Sequence, residues 1–447
     1  MVEKIYKSCN DIEQKERTIH NDNIWLGKYF LSDRECNKSF LDEFKGFCLK
    51  KKSKEFIFYE RLYASSSSLL FYPKKQIPKA MKSILLVTHE LSRTGAPVVV
   101  LDTAKILVKN GYFVTVISLV NGPLLEDFLN IGVPVIIMPD MKRVQYFKTE
   151  TFHFFKRMDL DSFVNDFDLT IIVTATLFNF VRRYFYSRKK IIWWIHEGSE
   201  SYNILNKYMP KNITPNIKVI CGGEYAVFQL KKNNYHYYPK VLNYGVFDES
   251  ENYYHIKKRN TKVRFLLAGS IGVRKGQLIL LDAIKNLPDE YQSNSEFIFV
   301  GAAYEGDVTG LKITEEIKQY SKKANNVQLF TSIPREELYH LYQTIDVLIL
   351  ASIDDPMPVV ATENFMFKNI CLCSTTTGTS YYIEDGINGF IFESGNSSEL
   401  KNKIMYIIDH KNELDAIKEK GRKIFDDYFD IRIFERNVIN LVEEVIE

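Results

Sequence analysis

Short apolar runs alternate with amphipathic segments of helical length from about residue 82 onward, and this alternation limits the fold more than any other feature. Ser83 to Val87 is followed by residues 96–111, whose apolar positions recur at helical spacing. Further apolar runs lie at 113–120, 133–138, 169–175, 190–195 and 217–223. Such runs, separated by helices, are typical of parallel strands that crossover helices bury on both faces. The pattern predicts an α/β fold with a doubly wound parallel sheet.

The same rhythm starts again after a polar break at 247–262, which has no periodicity and is interpreted as a linker. Five more predicted strands follow, at 263–270, 296–302, 327–332, 346–352 and 370–375. The sequence therefore predicts two doubly wound domains, at 81–250 and 262–426. Because such sheets bind ligands beyond the carboxyl ends of their strands, the cleft between the two domains is the expected site.

Composition excludes several classes of protein. The 447 residues are 45% hydrophobic with a net charge of +3, which is ordinary for a globular chain and too balanced for a dedicated nucleic-acid binder. The six cysteines are scattered without CxxC spacing, so neither a disulfide framework nor a zinc site is expected. A polar N-terminus and the lack of an 18-residue apolar stretch predict a soluble cytoplasmic protein.

Residues 1–80 do not follow the rhythm and form an N-terminal extension to which no function is assigned. Lysines dominate residues 50–54, and we interpret this run as a solvated surface. Residues 65–68 are a serine tract, and residues 71–82 are expected to be a linker.

Residues 354–363 carry the most informative pattern, DDPMPVVATE, between a predicted strand and a predicted helix. Asp355 lies in the loop, and Glu363 lies about two turns into the helix, which has a proline near its start. Carboxylates accept hydrogen bonds from paired sugar hydroxyls, and a helix N-terminus offers free N–H groups. The alternative is a capped helix with a solvent-facing glutamate, and the spacing alone leaves both interpretations open.

The segment resembles the Glu-x7-Glu signature of the family 4 retaining glycosyltransferases, which have the GT-B fold. Other segments resemble parts of the same family in the right order: THELSRTGAP (88–97), WWIHEG (193–198), VLNYGV (241–246), residues 266–284 and residues 375–392. The resemblance covers about residues 82–447. It implies two Rossmann-like domains that face a cleft, with a C-terminal helix at 427–447 that packs back on the first domain.

The resemblance also implies roles for individual residues of the second domain. Glu363 is expected to hold the ribose of the donor nucleotide, and Lys275 to pair with its diphosphate, where departing charge needs a fixed cation. Contacts with the donor sugar are expected from Asp355 and from the backbone of Met357, Pro358 and Val359. The alternative for Lys275 is an ordinary surface lysine.

Three further positions of the motifs receive expected roles. His196 is expected near the donor sugar and the reacting centre, although histidines at strand ends are more often structural hydrogen-bonding groups. Gly95 and Ala96 are expected to let their loop approach the diphosphate or the acceptor, since small residues allow close backbone approach. The alternative for these two is a simple tight turn.

The chain departs from the family pattern at three positions. Asp355 stands where the first signature glutamate is usual, and Tyr381 stands where many members have an acidic residue. Ser270 stands where the family usually has an arginine. Arg274 is a candidate substitute, although neighbouring helix positions do not share a face. These departures keep open an alternative, a non-catalytic partner subunit with the same fold.

The resemblance implies a metal-independent, retaining hexosyltransferase that needs no cofactor and uses a nucleoside-diphosphate sugar as donor. The acceptor is left open among saccharide, lipid-linked and protein hydroxyls, in cell-surface polysaccharide or glycoconjugate synthesis in a bacterium. A nicotinamide-dependent oxidoreductase is disfavoured because neither 84–95 nor 265–276 contains a GxGxxG turn. The segment 355–363 argues against an epimerase or a phosphorylase of the GT-B type.

Aromatic and basic residues alternate over 180–190. On a first-domain helix, this stretch is a candidate for peripheral contact with an anionic bilayer, at the inner face of the plasma membrane. The favoured alternative is a helix with core aromatics and a solvated basic face.

Overall fold

The computed structural model describes residues 69–71, 82–138, 160–253, 261–304, 306–331 and 333–447. They belong to two compact units. Unit 1 comprises residues 1–193, 214–218 and 444–447, and unit 2 comprises residues 194–213 and 219–443. The predicted lysine run at 50–54, the serine tract at 65–68 and nearly all of the linker at 71–82 lie outside the described residues.

The first sheet has eight described strands in the order β1-β4-β3-β2-β5-β6-β7-β8. The strands are β1 (Leu69–Phe71), β2 (Ser83–Thr88), β3 (Phe113–Ser118), β4 (Val135–Ile137), β5 (Leu169–Val173), β6 (Ile191–Ile195), β7 (Ile217–Cys221) and β8 (Lys240–Val241). From β4 to β7 the order is 3-2-1-4-5-6, which is that of a dinucleotide-type doubly wound sheet. The described helices that follow its strands are α1 (Gly95–Lys109), α2 (Leu125–Asn130), α3 (Leu160–Asp166), α4 (Phe178–Arg183), α5 (Tyr202–Tyr208) and α6 (Glu224–Lys232).

Strand β1 is an element that the sequence pattern does not predict. Its three residues pair antiparallel with β4, with Leu69 opposite Ile137 and Phe71 opposite Val135. The predicted linker at 71–82 is therefore wrong at its first residue. A run of three apolar residues is too short to show a period, and only pairing with the exposed edge of β4 makes it a strand.

The helix expected over 180–190 ends early, at Arg183. Tyr186 has a positive φ of 61°, which a continuing right-handed helix does not allow, and its side chain is 91% exposed. Phe180 and Tyr184 are buried in the core instead. The aromatic side chains of this segment therefore do not form one helical face.

The second sheet has six described strands in the order β11-β10-β9-β12-β13-β14, again 3-2-1-4-5-6, and every neighbouring pair is parallel. The strands are β9 (Val263–Ala268), β10 (Ser295–Val300), β11 (Val327–Phe330), β12 (Val347–Leu350), β13 (Ile370–Ser374) and β14 (Phe390–Phe392). Its described helices are α7 (Gln277–Lys285), α8 (Asp289–Ser293), α9 (Val308–Ser321), α10 (Arg335–Tyr342), α11 (Val359–Met366), α12 (Ser397–Asp409), α13 (Asp415–Ile424) and α14 (Ile431–Ile446).

Both faces of the second sheet are apolar, as the continuous runs predict. Phe265 and Phe297 stack with ring centroids 5.0 Å apart in the core on one face. Leu266 and Ile298, the next residues of the same strands, belong to the core on the opposite face. The polar and glycine residues that follow the strands are therefore left at the carboxyl edge of the sheet. The predicted α/β fold is confirmed.

The last turn of α14 lies in unit 1, where Lys190 Nζ donates a hydrogen bond to the Ile446 carbonyl oxygen at 2.8 Å. Lys218 forms an ion pair with Glu444 in the same unit. None of the helices in the described ranges is long and apolar enough to cross a membrane.

Candidate active site at the carboxyl edge of the second sheet

The loop after β9 holds two adjacent basic residues in a tight turn. Residues 273–275 form one turn of 3-10 helix, and Gly276 follows with a φ of 70°. A Cβ atom on Gly276 would overlap the carbonyl oxygen of Ala351. Both the backbone conformation and the available space at this position therefore require glycine. Helix α7 begins only after this turn. Lys275 therefore lies in the turn that precedes the helix and is not part of the helix.

Both basic side chains of this turn reach Asp355. Lys275 Nζ forms an ion pair with Asp355 Oδ2, and Arg274 Nη1 lies 3.7 Å from Oδ1. These two neighbouring residues can share one partner because they lie in the 3-10 turn and outside the α-helix. Asp355 is only 6% exposed. The two cations compensate its charge in this largely buried position.

The loop that carries Asp355 is fastened to the loop after β13. The Asp355 N–H donates to the Thr376 carbonyl oxygen at 3.2 Å, and the Gly378 N–H donates to the Asp355 carbonyl oxygen at 2.7 Å. A side chain at Gly378 would overlap the backbone of Pro356. The segment 375–392, which resembles a part of the family pattern, thus supports the Asp355 loop directly.

The remaining predicted donor-binding positions of unit 2 lie in the two loops that form this ion pair or at the start of α11. Ser270 is half-buried, and its carbonyl oxygen accepts a hydrogen bond from Gln277 Nε2 at 2.9 Å. Pro358 immediately precedes α11 and offers no side-chain cap to its first turn. Met357 and Val359, on either side of it, are half-buried.

Glu363 is buried, with 3% of its surface exposed, so the alternative of a solvent-facing glutamate is wrong. It lies one turn into α11 rather than two. Arg335 Nη2 forms an ion pair with Glu363 Oε1, and Tyr342 Oη donates to Oε2 at 3.2 Å. Tyr339 contributes a further side-chain hydrogen bond to this carboxylate. A carboxylate has about four acceptor positions, so these partners do not use all of them.

The environment of Glu363 raises the pKa of its carboxyl group above the ordinary value. Burial is the main cause, because it disfavours the charged form, while the charge of Arg335 and its hydrogen bond lower the pKa in the opposite direction. The Arg335 side chain is 55% exposed and its Nε donates to Tyr339 Oη at 2.9 Å. Glu363 is thus a buried acid whose charged form is stabilised by the partly exposed Arg335 and by hydrogen bonds from Tyr342 and Tyr339.

His196 follows β6 and lies in unit 2. Its ring is 5.0 Å from the Trp194 ring between centroids, and a Cβ atom on Gly222 would lie 2.6 Å from its Nδ1. Glycine at 222 is therefore needed to leave space for the imidazole.

Asp354 is a residue of this region to which the sequence assigned no role. It is 4% exposed, and its carboxylate accepts the N–H groups of Ser199 at 3.0 Å and Glu200 at 3.1 Å. Tyr225 Oη donates a third hydrogen bond to it at 2.7 Å. Arg335 was also missed. Nothing in the local sequence marks either residue, because their partners lie far away along the chain.

Gly95 and Ala96 lie in unit 1, at the start of α1. Gly95 is exposed, and a Cβ atom there would have nothing within 4 Å. In the preceding loop, Ser92 Oγ donates to Glu90 Oε1 at 2.6 Å. The expected roles of Gly95 and Ala96 remain predictions.

Two family models match this chain. The model of "Glycosyl transferases group 1" matches residues 248–424, and the model of "Glycosyl-transferase family 4" matches residues 80–214. Together they include the motif segments at 88–97, 193–198, 266–284, 354–363 and 375–392, whereas 241–246 lies between the two matches. The chain belongs to the family 4 glycosyltransferases.

Individual relatives are distant. An uncharacterized glycosyltransferase of Methanocaldococcus jannaschii is 24% identical over 227 residues, which is 49% of this chain and 58% of that relative's length. HepE of Anabaena, solved in complex with UDP, is 18% identical with a TM-score of 0.63, over 81% of this chain and 100% of that one. A glycosyltransferase from Rickettsia africae is 17% identical with a TM-score of 0.64, over 82% and 100%. At these identities the structural matches show the fold, which is GT-B.

Proposed function

We propose that this protein is a retaining hexosyltransferase that moves a sugar from a nucleoside-diphosphate sugar to an acceptor hydroxyl. The observation that carries the proposal is the meeting of Lys275 and Arg274 on Asp355, at the carboxyl edge of a 3-2-1-4-5-6 sheet. This edge is where doubly wound sheets bind nucleotides. Two cations beside a carboxylate suit a donor that has an anionic diphosphate and a sugar rich in hydroxyl groups.

UDP-glucose is the first donor to test. HepE of Anabaena has been solved with UDP and with UDP-glucose, and it has the same fold as this chain. In our proposal the ribose hydroxyls donate to the acceptor positions of Glu363 that its protein partners leave open. The diphosphate lies against Lys275 and Arg274, and Asp355 faces the sugar.

The transfer breaks the bond between the anomeric carbon and the diphosphate oxygen. The acceptor oxygen attacks from the same face, and its proton passes to the departing diphosphate, so the configuration is retained and no protein nucleophile is needed. Lys275 and Arg274 offset the negative charge that develops on the diphosphate. His196 is proposed to lie beside the donor sugar. We propose that no metal is required, since the two side chains supply the positive charge.

The acceptor is proposed to be a saccharide, lipid-linked or protein hydroxyl in cell-surface polysaccharide or glycoconjugate synthesis, with transfer at the cytoplasmic face of the membrane. A non-catalytic partner subunit is the second candidate. The environment of Glu363 favours this second candidate, because both carboxylate oxygens already have protein partners and the residue is almost fully buried.

The experiment incubates the purified full chain with UDP-glucose, UDP-galactose, GDP-mannose and dTDP-glucose, with water as the acceptor. We expect release of the nucleoside diphosphate from one donor, and early NMR spectra should show the sugar first in the anomeric configuration of the donor. The release should continue in EDTA. Loss of release in EDTA would contradict metal independence, and an inverted first product would contradict retention. No release from any donor would favour the non-catalytic partner.

A further inference from the structure

Asp354 binds the start of the segment that follows His196. Its carboxylate accepts the N–H groups of Ser199 and Glu200, which begin a 3-10 turn that leads into α5. A negative charge at the N-terminal end of a helical segment is stabilised by the unpaired N–H groups there. The Tyr225 hydroxyl group on α6 supplies the third hydrogen bond, and burial raises the pKa of that phenol, with Asp354 contributing.

The packing between His196 and Asp354 leaves little freedom. Gly198 is buried, and a Cβ atom on it would lie 2.5 Å from Asp354 Oδ1. Only the residues Glu197 and Gly198 separate His196 from the two N–H groups that Asp354 holds. The Asp354 carboxylate therefore anchors the segment that immediately follows His196.

The backbone of Asp354 contacts the basic turn at 273–275. Its carbonyl oxygen accepts a hydrogen bond from Arg274 Nη1 at 2.7 Å, and the next residue, Asp355, pairs with Lys275. Two consecutive aspartates thus have separate tasks. One holds the segment that carries His196, and the other holds the basic turn.

We propose that Asp354 is a positioning residue that holds His196 in a fixed place relative to the Lys275–Asp355 pair. The proposal rests on the proposed function, in which His196 lies beside the donor sugar and Lys275 beside the diphosphate. A displacement of about 1 Å in such an arrangement can lower the rate about a hundredfold without direct contact with the substrate. The nucleotide itself does not touch Asp354 in this arrangement.

Asp346 offers a matched control. Asp346 immediately precedes β12, whereas Asp354 lies in the loop after it. The Asp346 carboxylate accepts the N–H group of Arg264 at 3.0 Å, at the opposite edge of the same sheet. Asp346→Asn removes a carboxylate with a structural hydrogen bond but leaves the candidate site untouched. Tyr225→Phe is a milder variant, because it removes only one of the three hydrogen bonds to Asp354.

The experiment compares Asp354→Asn, Tyr225→Phe and Asp346→Asn in the full chain. The first readout is the NMR titration of the His196 ring signal, identified by its loss in His196→Gln. The second is UDP affinity, and the third is kcat and KM for donor hydrolysis. We expect Asp354→Asn to shift or broaden the His196 signal and to lower kcat about ten- to a hundredfold, with UDP affinity kept. Tyr225→Phe should show a smaller change in the same direction.

The outcomes separate this proposal from the proposed function. If Asp354→Asn and Tyr225→Phe leave the His196 signal as unchanged as Asp346→Asn does, the positioning role is wrong even in an active enzyme. The same holds if Asp354→Asn lowers kcat no more than Asp346→Asn. If the wild type hydrolyses no donor, the proposed function fails, and the His196 signal still decides whether Asp354 holds that histidine.

Discussion

Lys275 and Asp355 form an ion pair that joins the loop after β9 to the loop after β12. The lysine side chain is 17% exposed and that of the aspartate 9%, so the pair is largely withdrawn from water. A buried cation is tolerated only when it is compensated, and Asp355 supplies this compensation when no donor is bound. In our proposal the donor diphosphate supplies part of this compensation when it binds. Lys275 is therefore paired with a negative charge both before and after donor binding.

The first prediction concerns Lys275. Lys275→Ala should lower kcat/KM for donor hydrolysis about a hundredfold or more, because it removes a fixed positive charge from the departing diphosphate. Lys285→Ala is the matched control, since Lys285 is on the neighbouring helix α7 and pairs with Glu316 on the surface. Equal losses in the two variants would contradict a specific role for Lys275.

The second prediction is a pH dependence of nucleotide binding. Glu363 accepts ribose hydroxyls best when ionised, and burial raises its pKa, so UDP affinity should fall as the pH drops through this raised value. Arg335 lowers that pKa, so Arg335→Gln should move the fall in affinity to higher pH. Arg335→Lys keeps the charge and should move it less. Calorimetric titrations with UDP between pH 5 and pH 8 measure all three proteins, and a pH-independent affinity would exclude Glu363 as the titrating group.

The third prediction concerns stability. Because the folded-state pKa of Glu363 is raised, its contribution to stability is complete below the unfolded-state pKa and is lost as the pH rises through the folded-state value. At pH 8 the folded protein therefore buries a charged carboxylate at a cost. Glu363→Gln should raise Tm more at pH 8 than at pH 4, and it should weaken UDP binding. If Glu363→Gln instead has a lower Tm than the wild type at pH 8, the stabilisation from the ion pair with Arg335 outweighs the cost of burying the charge.

The fourth prediction tests the turn that presents the cations. Gly276→Ala should lower Tm strongly, because its φ is 70° and the new Cβ would overlap the Ala351 carbonyl oxygen. Gly386→Ala is the control: φ is 78° there, but the new Cβ has nothing within 4 Å, so only the backbone cost of about 1–2 kcal/mol applies. Thermal unfolding of both variants should show the larger loss for Gly276→Ala.

The sequence predicts the central strands well because runs such as those of β6 and β12 are continuous, apolar and fully buried by the helices on both faces of the sheet. Strand β9, expected over 263–270, spans Val263–Ala268, and the excess is the Gly269 and Ser270 loop. The pattern fails where length or pairing decides the structure. Leu69–Phe71 is too short to show a period, and the segment after Arg183 turns at Tyr186.

For the site, motif resemblance locates Lys275, Asp355 and Glu363 but not their partners. Arg335 and Asp354 act through contacts between segments 28 and 155 residues apart in the chain, and no local pattern encodes such contacts. The convergence of Arg274 and Lys275 on one carboxylate likewise does not follow from the sequence, because the pattern predicts a helix where the structure has a 3-10 turn. The roles of these residues in catalysis remain predictions.

Nucleotide binding tests the central claim most directly. Calorimetric titration of the wild-type chain with UDP, GDP, dTDP and ADP should show one nucleoside diphosphate that binds, and Glu363→Ala and Lys275→Ala should each weaken that binding. Lys285→Ala should leave it unchanged. Two results would show that this site is not the donor site. The first is that none of the four nucleotides binds the wild-type chain. The second is that Glu363→Ala and Lys275→Ala bind the nucleotide as strongly as the wild-type chain does.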